Sequence, residues 1–299
     1  MITQDARDGP FSTVLGMAVD IIEFTDPGCP WAYSAEPHRL RIVWLYGDAI
    51  TWRRRMVVLA RRPEDYTDKG FTPDKLAAGV AQIAAAHGMP LELSQRPRMA
   101  ATLPACLAVV AAREHAPELE APLLRRLRLR NAANEPLDDD ATIDGAATDI
   151  GLDPAQLHAW MEEEAVLQAL ESDAAAARDP MPAARILDAR LADWEGGRRY
   201  TCPTWEITVD GPTRGEFTSV IPGFNPIAVY ETALANLLPT TARRDEPESV
   251  TEILEWAGEP LATQEVATIA VISRDAAAEQ LAAAGATRTP LGSDALWSL

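Results

Sequence analysis

Cysteine is scarce. Cys29, Cys106 and Cys202 are the three in 299 residues, too few and too scattered for the disulfide framework of a small secreted protein, and their spacing matches no zinc module. No run approaches the roughly 18–20 uninterrupted apolar residues of a membrane-spanning helix. The opening Met1-Ile2-Thr3-Gln4-Asp5 lacks the basic region and apolar stretch of an export signal. A cytoplasmic chain without a membrane partner is expected. Lysine is confined to Lys69 and Lys75, an arginine bias we attribute to genome composition. Basic charge as a whole is in deficit, 27 side chains against 45 acidic ones for a net −18, which repels phosphate backbones and disfavours nucleic-acid binding. The chain shows no internal repeat or low-complexity tract. What remains is 47% hydrophobic and 24% charged with 23 prolines, the composition of a globular chain of one large domain or a compact domain with additions.

Met17 to Phe24 is β-branched and apolar enough for a buried strand, and Thr25-Asp26-Pro27-Gly28 breaks it with turn chemistry. From Pro30 the residues Trp31, Ala35, Ile42 and Leu45 share one helical face, with a kink expected at Pro37 and a stop at Gly47. Ile50 to Leu59 reads as a second strand with Trp52, Met56 and Val58 on one side and Arg53 and Arg55 on the other. The run Arg53-Arg54-Arg55 suits a solvated strand face, or an anionic co-substrate. Thr72 to about Arg178 is helical, five or six helices punctuated by caps at Thr72, Gly88, Thr102, Gly151 and Asp153. Asp179 to Tyr200 reads as a loop with one short helix. Strand signals resume at Trp205 to Val209, with a turn at Asp210-Gly211, a return strand from Arg214 to Ile221 and a helix from Pro226 to Leu238.

The informative cysteine stands where the first strand ends and a helix begins, in Phe24-Thr25-Asp26-Pro27-Gly28-Cys29-Pro30-Trp31-Ala32. Unpaired N–H groups at a helix N-terminus favour the thiolate, the nucleophilic form. Against that stands a buried cysteine serving as a small apolar filler. Gly28 and Pro30 clear space around the sulfur and favour chemistry. Asp26 reads as turn chemistry or as a proton shuttle beside Cys29, and Trp31 as an exposed rim. Cys106, between Leu103, Leu107 and Val110, has the pattern of core packing. His38 reads as a packed or capping residue, His87 as a helix-end cation, and His115 and His158 as exposed; no metal set emerges from the four.

The segment Phe-Thr-Asp-Pro-Gly-Cys-Pro-Trp-Ala-Tyr-Ser after a first strand resembles the active-site turn of the DsbA-like branch of the thioredoxin superfamily, over about residues 17–240. The resemblance implies an α/β fold, a thioredoxin core at 17–60 and 200–240 split by an inserted all-helical subdomain at 72–178. It also implies a cis-proline loop at Cys202-Pro203-Thr204. Within the branch the chain is most similar to cytoplasmic, FrnE-like and low-molecular-weight-thiol-dependent proteins with a Cys-Pro-Trp-Cys motif. Thiol-dependent isomerases and kappa-class glutathione transferases are more distant relatives. In place of the second cysteine of that motif stands Ala32, so an ordinary Cys-x-x-Cys cycle is impossible.

The resemblance makes Cys29 the nucleophile, with resolution left to an external thiol such as glutathione or mycothiol, or to Cys202, which the fold would face toward Cys29. Cys202 also fits a small residue tolerated at that place, or a metal shared by two thiolates, although no further ligand completes a shell. Pro30, Trp31, Thr201, Pro203 and Asp26 are the candidate substrate-binding residues. Three functions remain open: an atypical oxidoreductase acting on a small thiol or a protein disulfide, a thiol-dependent isomerase or transferase of a biosynthetic or detoxification pathway, and a redox-dead binding module. Residues 245–299 hold three short helical patterns and a Pro290-Leu291-Gly292 turn, resembling a degenerate winged helix. Ten acidic against two basic side chains there argue against DNA, leaving a packing or dimerisation module, with a homodimer in view, or a cover over one side of the site.

Overall fold

The structure, a computed structural model, describes residues 19–211 and 215–299. Strand β1 (Val19–Thr25) leads into helices α1 (Pro30–Ser34) and α2 (Glu36–Tyr46), and then into strand β2 (Ile50–Met56). After the single turn α3 (Glu64–Thr67) come six longer helices, α4 (Pro73–His87), α5 (Leu103–His115), α6 (Glu120–Ala132), α7 (Asp140–Thr148), α8 (Pro154–Met161) and α9 (Glu164–Ala177). The chain returns through α10 (Pro182–Ile186) and a hairpin, β3 (Ala192–Trp194) and β4 (Gly197–Arg199), to strands β5 (Thr204–Gly211) and β6 (Gly215–Pro222) and helix α11 (Ile227–Leu237). The C-terminal segment is α12 (Val250–Ala257), β7 (Leu261–Ala262), α13 (Thr263–Ala270), α14 (Arg274–Ala283) and the hairpin β8 (Thr287–Leu291) and β9 (Asp294–Ser298). This is a thioredoxin-like α/β fold with an inserted helical subdomain.

The main sheet has the order β2-β1-β5-β6, with β2 parallel to β1 and the others antiparallel. Register decides where the site falls. Phe24 lies opposite Thr204, and Thr25 opposite Met56, so the turn leaving β1 and the loop entering β5 meet at one end of the sheet. One face of the sheet buries Ile21, Trp205 and Ile207 against α2, α11 and the C-terminal segment. The helical subdomain has its own core, in which Val109, Leu123, Leu127 and Leu170 pack around Met56.

Several expectations need correction. The first helix breaks at Ala35, two residues before the kink expected at Pro37, and Pro37 lies in the first turn of a separate helix, α2. Strand β2 stops at Met56, and Val58 takes the left-handed conformation at φ 55°. Arg54 is buried beside Trp52 and Met56 instead of solvated, because Glu120 (3.1 Å) and Glu23 (3.7 Å) meet its guanidinium. The loop at 179–200 holds the β3–β4 hairpin as well as the short helix. Asp210 and Gly211 continue β5, paired with Glu216 and Gly215. Likewise Pro290 and Leu291 belong to β8, and that hairpin turns at 292–293. Met17 and Ala18 of the expected first strand and Arg214 of the return strand lie outside the described residues. No described helix is long and apolar enough to cross a membrane.

Candidate active site

Cys29 caps α1 from an extended backbone conformation, with Pro30 as the first helical residue. Its N–H donates to Asp26 O (3.1 Å) and closes the turn. Gly28 is demanded by space: a Cβ there would stand 2.5 Å from Thr102 Cγ2. The Cys202–Pro203 peptide bond is cis, and the Cys29 thiol donates to Cys202 O at 3.5 Å. The two cysteines, 173 residues apart in sequence, thus share one wall. Both are free thiols.

The pair is electrostatically uneven. Cys29 is held below the ordinary thiol range because, once ionised, it accepts a hydrogen bond from the Cys202 thiol; N–H groups at Ala32 and Trp31 add to this, while burial and the Asp26 charge oppose it. Burial pushes the Cys202 thiol well up, and its donation to Cys29 pushes it further. Cys29 therefore ionises first, and Cys202 stays protonated.

Asp26 is fully buried, and the sequence reading of it as turn chemistry captures only part of its surroundings. Oδ1 accepts from Gly28 N–H (2.7 Å), which is the turn. Oδ2 accepts from Leu59 N–H (2.8 Å), the Thr102 hydroxyl (2.9 Å) and the Cys106 thiol (3.4 Å). Burial nevertheless raises its pKa above the usual carboxylate range. Cys106 does pack in the helical core, as expected, yet its thiol also reaches the site's carboxylate, and that thiol is driven well up by burial and by Asp26. Thr102, an expected helix cap, uses its hydroxyl on Asp26 instead of on its own helix.

A cavity of about 570 Å³ opens beside the sulfur. Cys29, Pro30, Trp31, Thr201 and Cys202 all line it, whereas Asp26 and Pro203 are buried behind the wall. The sulfur-bearing residue is only 5% exposed, and Trp31 is 42% exposed at the rim. Trp31 leans on Phe224 (5.6 Å between ring centroids) and on His87 (5.2 Å), and Phe224 also meets His38 (5.2 Å). Thr201 Oγ1 donates to Arg190 O (2.9 Å) and so fixes the opposite lip. Sequence reasoning missed the far wall, made by Tyr66 of α3 and by Leu76, Val80, Arg96 and Met99 of the helical subdomain. Amphipathic spacing in α4 marks Leu76, Val80 and Ile83 as a buried face without saying what they face. Among the described residues no group of three or more His, Cys, Asp or Glu side chains is placed to hold a metal ion.

The sequence matches the model of the DsbA-like thioredoxin domain over residues 20–181, more than half of the chain. The chain belongs to that family. No curated protein matches the sequence. Among solved structures, the DsbA-like chain is similar to a Nitrosomonas europaea protein provisionally designated a protein disulfide isomerase. That match has 17% identity, spans 75% of this chain and 97% of that one, and has a TM-score of 0.52. A Streptomyces coelicolor protein provisionally designated a DsbA oxidoreductase matches at 16% identity over 76% of this chain and 93% of that one, also with a TM-score of 0.52. Both likenesses concern the fold.

Proposed function

We propose that this DsbA-like protein performs thiol–disulfide chemistry with Cys29 as its single nucleophile. The observation behind this reading is the uneven thiol pair: Cys29 poised to ionise at the cap of α1, with Cys202 protonated beside it. The Cys29 thiolate attacks one sulfur of a disulfide substrate. The S–S bond breaks, a mixed disulfide forms on Cys29, and the departing thiolate takes up a proton. A second thiol then attacks the Cys29 sulfur and releases the other half as a thiol. The two electrons come from Cys29 and that second thiol, which are left joined as a disulfide; further small-molecule thiol reduces it, returns Cys29 to the free thiol and is itself oxidised to a disulfide. Ala32 has no sulfur, so the resolving thiol is Cys202 or a small molecule such as glutathione or mycothiol. Pro30, Trp31, Thr201 and Pro203 would flank the substrate. A cytoplasmic setting, where thiols are kept reduced, suits this chemistry.

A second reading keeps the fold and moves the nucleophile: a bound small thiol attacks, as in a thiol-dependent transferase or isomerase, and Cys29 is contact surface. The ligand-sized cavity against which the sulfur opens favours it. Alkylation separates the two. Under the first reading iodoacetamide labels Cys29 rapidly near neutral pH, and Cys202→Ala, which removes the donor, moves the labelling midpoint up by about one pH unit or more. A peptide map after mild oxidation without reductant then shows Cys29 joined to Cys202 or to the added thiol. Labelling no faster than that of a free thiol, with no disulfide formed, would sink the first reading; tight binding of a small thiol in that case supports the second.

A further inference from the structure

The cavity carries the opposite charge from the molecule around it. Acidic side chains outnumber basic ones 45 to 27 in the chain, yet among the described residues no carboxylate lines the cavity, whereas Lys75, Arg96, Arg190 and Arg199 do. The hydrogen bonds of all four run to neutral oxygens: Lys75 to Gly70 O (2.9 Å), Arg96 to Asn131 Oδ1 (2.8 Å) and O (3.1 Å), Arg190 to Phe224 O (3.2 Å), and Arg199 to Tyr200 O (2.7 Å). The buried arginines are treated differently. Arg41, Arg54, Arg125 and Arg128 each meet at least one carboxylate.

Arg96 is the most constrained of the four. Its Nε is buried without a partner. Burial holds the guanidinium below its ordinary pKa, and the one ionisable neighbour that acts on it is the Tyr66 phenol. Tyr66, Arg96 and Cys29 all line the cavity, so the cation and the sulfur face a common space. A desolvated guanidinium without an anion is costly, and a carboxylate offering two oxygens to its fork is the group that offsets the cost. Beside it the wall is apolar, formed by Leu76, Val80, Ile83, Met99 and Leu137. A volume of about 570 Å³ suits a small molecule.

We propose that the cavity is a binding site for a small organic anion, an apolar body bearing a carboxylate, held by its carboxylate on Arg96 with the body along α4 toward Cys29. This deepens the reading of the Cys29 site by naming its ligand class, and it requires no covalent step.

The test uses the full chain and two probes of matched shape, 1-naphthoate and the neutral 1-naphthalenemethanol, titrated calorimetrically. The acid binds about tenfold or more tighter than the alcohol. Arg96→Met abolishes that preference, and Arg53→Met, on the exposed strand face, leaves both affinities unchanged. Equal affinity of the two probes for the native protein, binding of neither, or a preference that survives in a folded Arg96→Met variant each overturns the proposal. If Arg96→Met fails to fold, the native comparison still decides. Cys29→Ser separates this inference from the nucleophile assignment: it retains naphthoate selectivity whether or not Cys29 proves reactive.

Discussion

Asp26 shows how one carboxylate can hold a site together and restrain it. Four donors from three segments converge on it, while its charge, three residues from Cys29, works against the thiolate. Asp26→Asn removes that charge, so the midpoint of Cys29 alkylation moves to lower pH. The amide also presents N–H groups to donors that need an acceptor, costing about 1–3 kcal/mol of stability. A pH profile of labelling together with a urea titration checks both effects; a midpoint that moves upward would refute the electrostatic role. Local sequence made Cys29 legible, because strand, turn, proline and helix adjoin it. The partners Thr102 and Cys106 were not legible as such. They stand 76 and 80 residues from Asp26, and each also satisfies a commonplace pattern, a helix cap and a core face.

At the scale of elements, segments with strong local signals were readable and those fixed by distant contacts were not. Thr72 and Asp153 cap their helices with their side chains, as their sequence signatures foretell. The β3–β4 hairpin has only three residues a strand, too few for a period-2 signal, and the side chain of Trp194 folds over Gly196. The winged-helix-like order of the C-terminal segment was visible from its punctuation, whereas its docking was not. The β8–β9 tip sits on the segment after α4, where Ser293 N–H donates to Leu91 O (2.9 Å) and Leu91 N–H to Ser293 Oγ (3.2 Å). That same stretch runs on to Arg96 and Met99 of the cavity wall. Gly292 stands at φ +47°, and a Cβ there would meet the Leu91 carbonyl carbon at 2.2 Å. Gly292→Ala therefore lifts the tip, at a cost of at least about 1–2 kcal/mol from the left-handed backbone alone. Hydrogen exchange at the Leu91 and Ser293 amides should accelerate, and unchanged protection there would show that the contact is dispensable.

Over the whole molecule, charge is divided between an acidic surface and a buried network that ties the sheet to its insertion. Arg128 of α6 reaches Glu23 (3.3 Å) and Thr25 (2.6 Å) on β1 and Glu36 on α2, and Arg125 meets Glu265 of α13 (2.7 Å). Composition reveals the excess of acid, and only the fold reveals which acids are inside. Acidification acts on this system through groups of opposite sign. Asp26, with a raised folded pKa, gains stability as pH falls; Glu36, held low by Arg39 and Arg128 against its own burial, loses it below the ordinary carboxylate range. His38 separates from both by its window. Burial between Phe224 and Tyr230, with His87 nearby, lowers it to about 4, below the unfolded value of about 6.5. Its neutral form is favoured in the folded state, so its contribution is fully present above about pH 6.5 and is lost as pH falls toward 4. His38→Phe should be less sensitive than the wild type over that window: between pH 7.5 and 4.5 the wild type loses about 2–3 kcal/mol that the variant does not. Paired urea titrations at the two pH values measure the difference, and a wild-type minus variant gap that stays constant with pH would assign the acid sensitivity to the carboxylates instead.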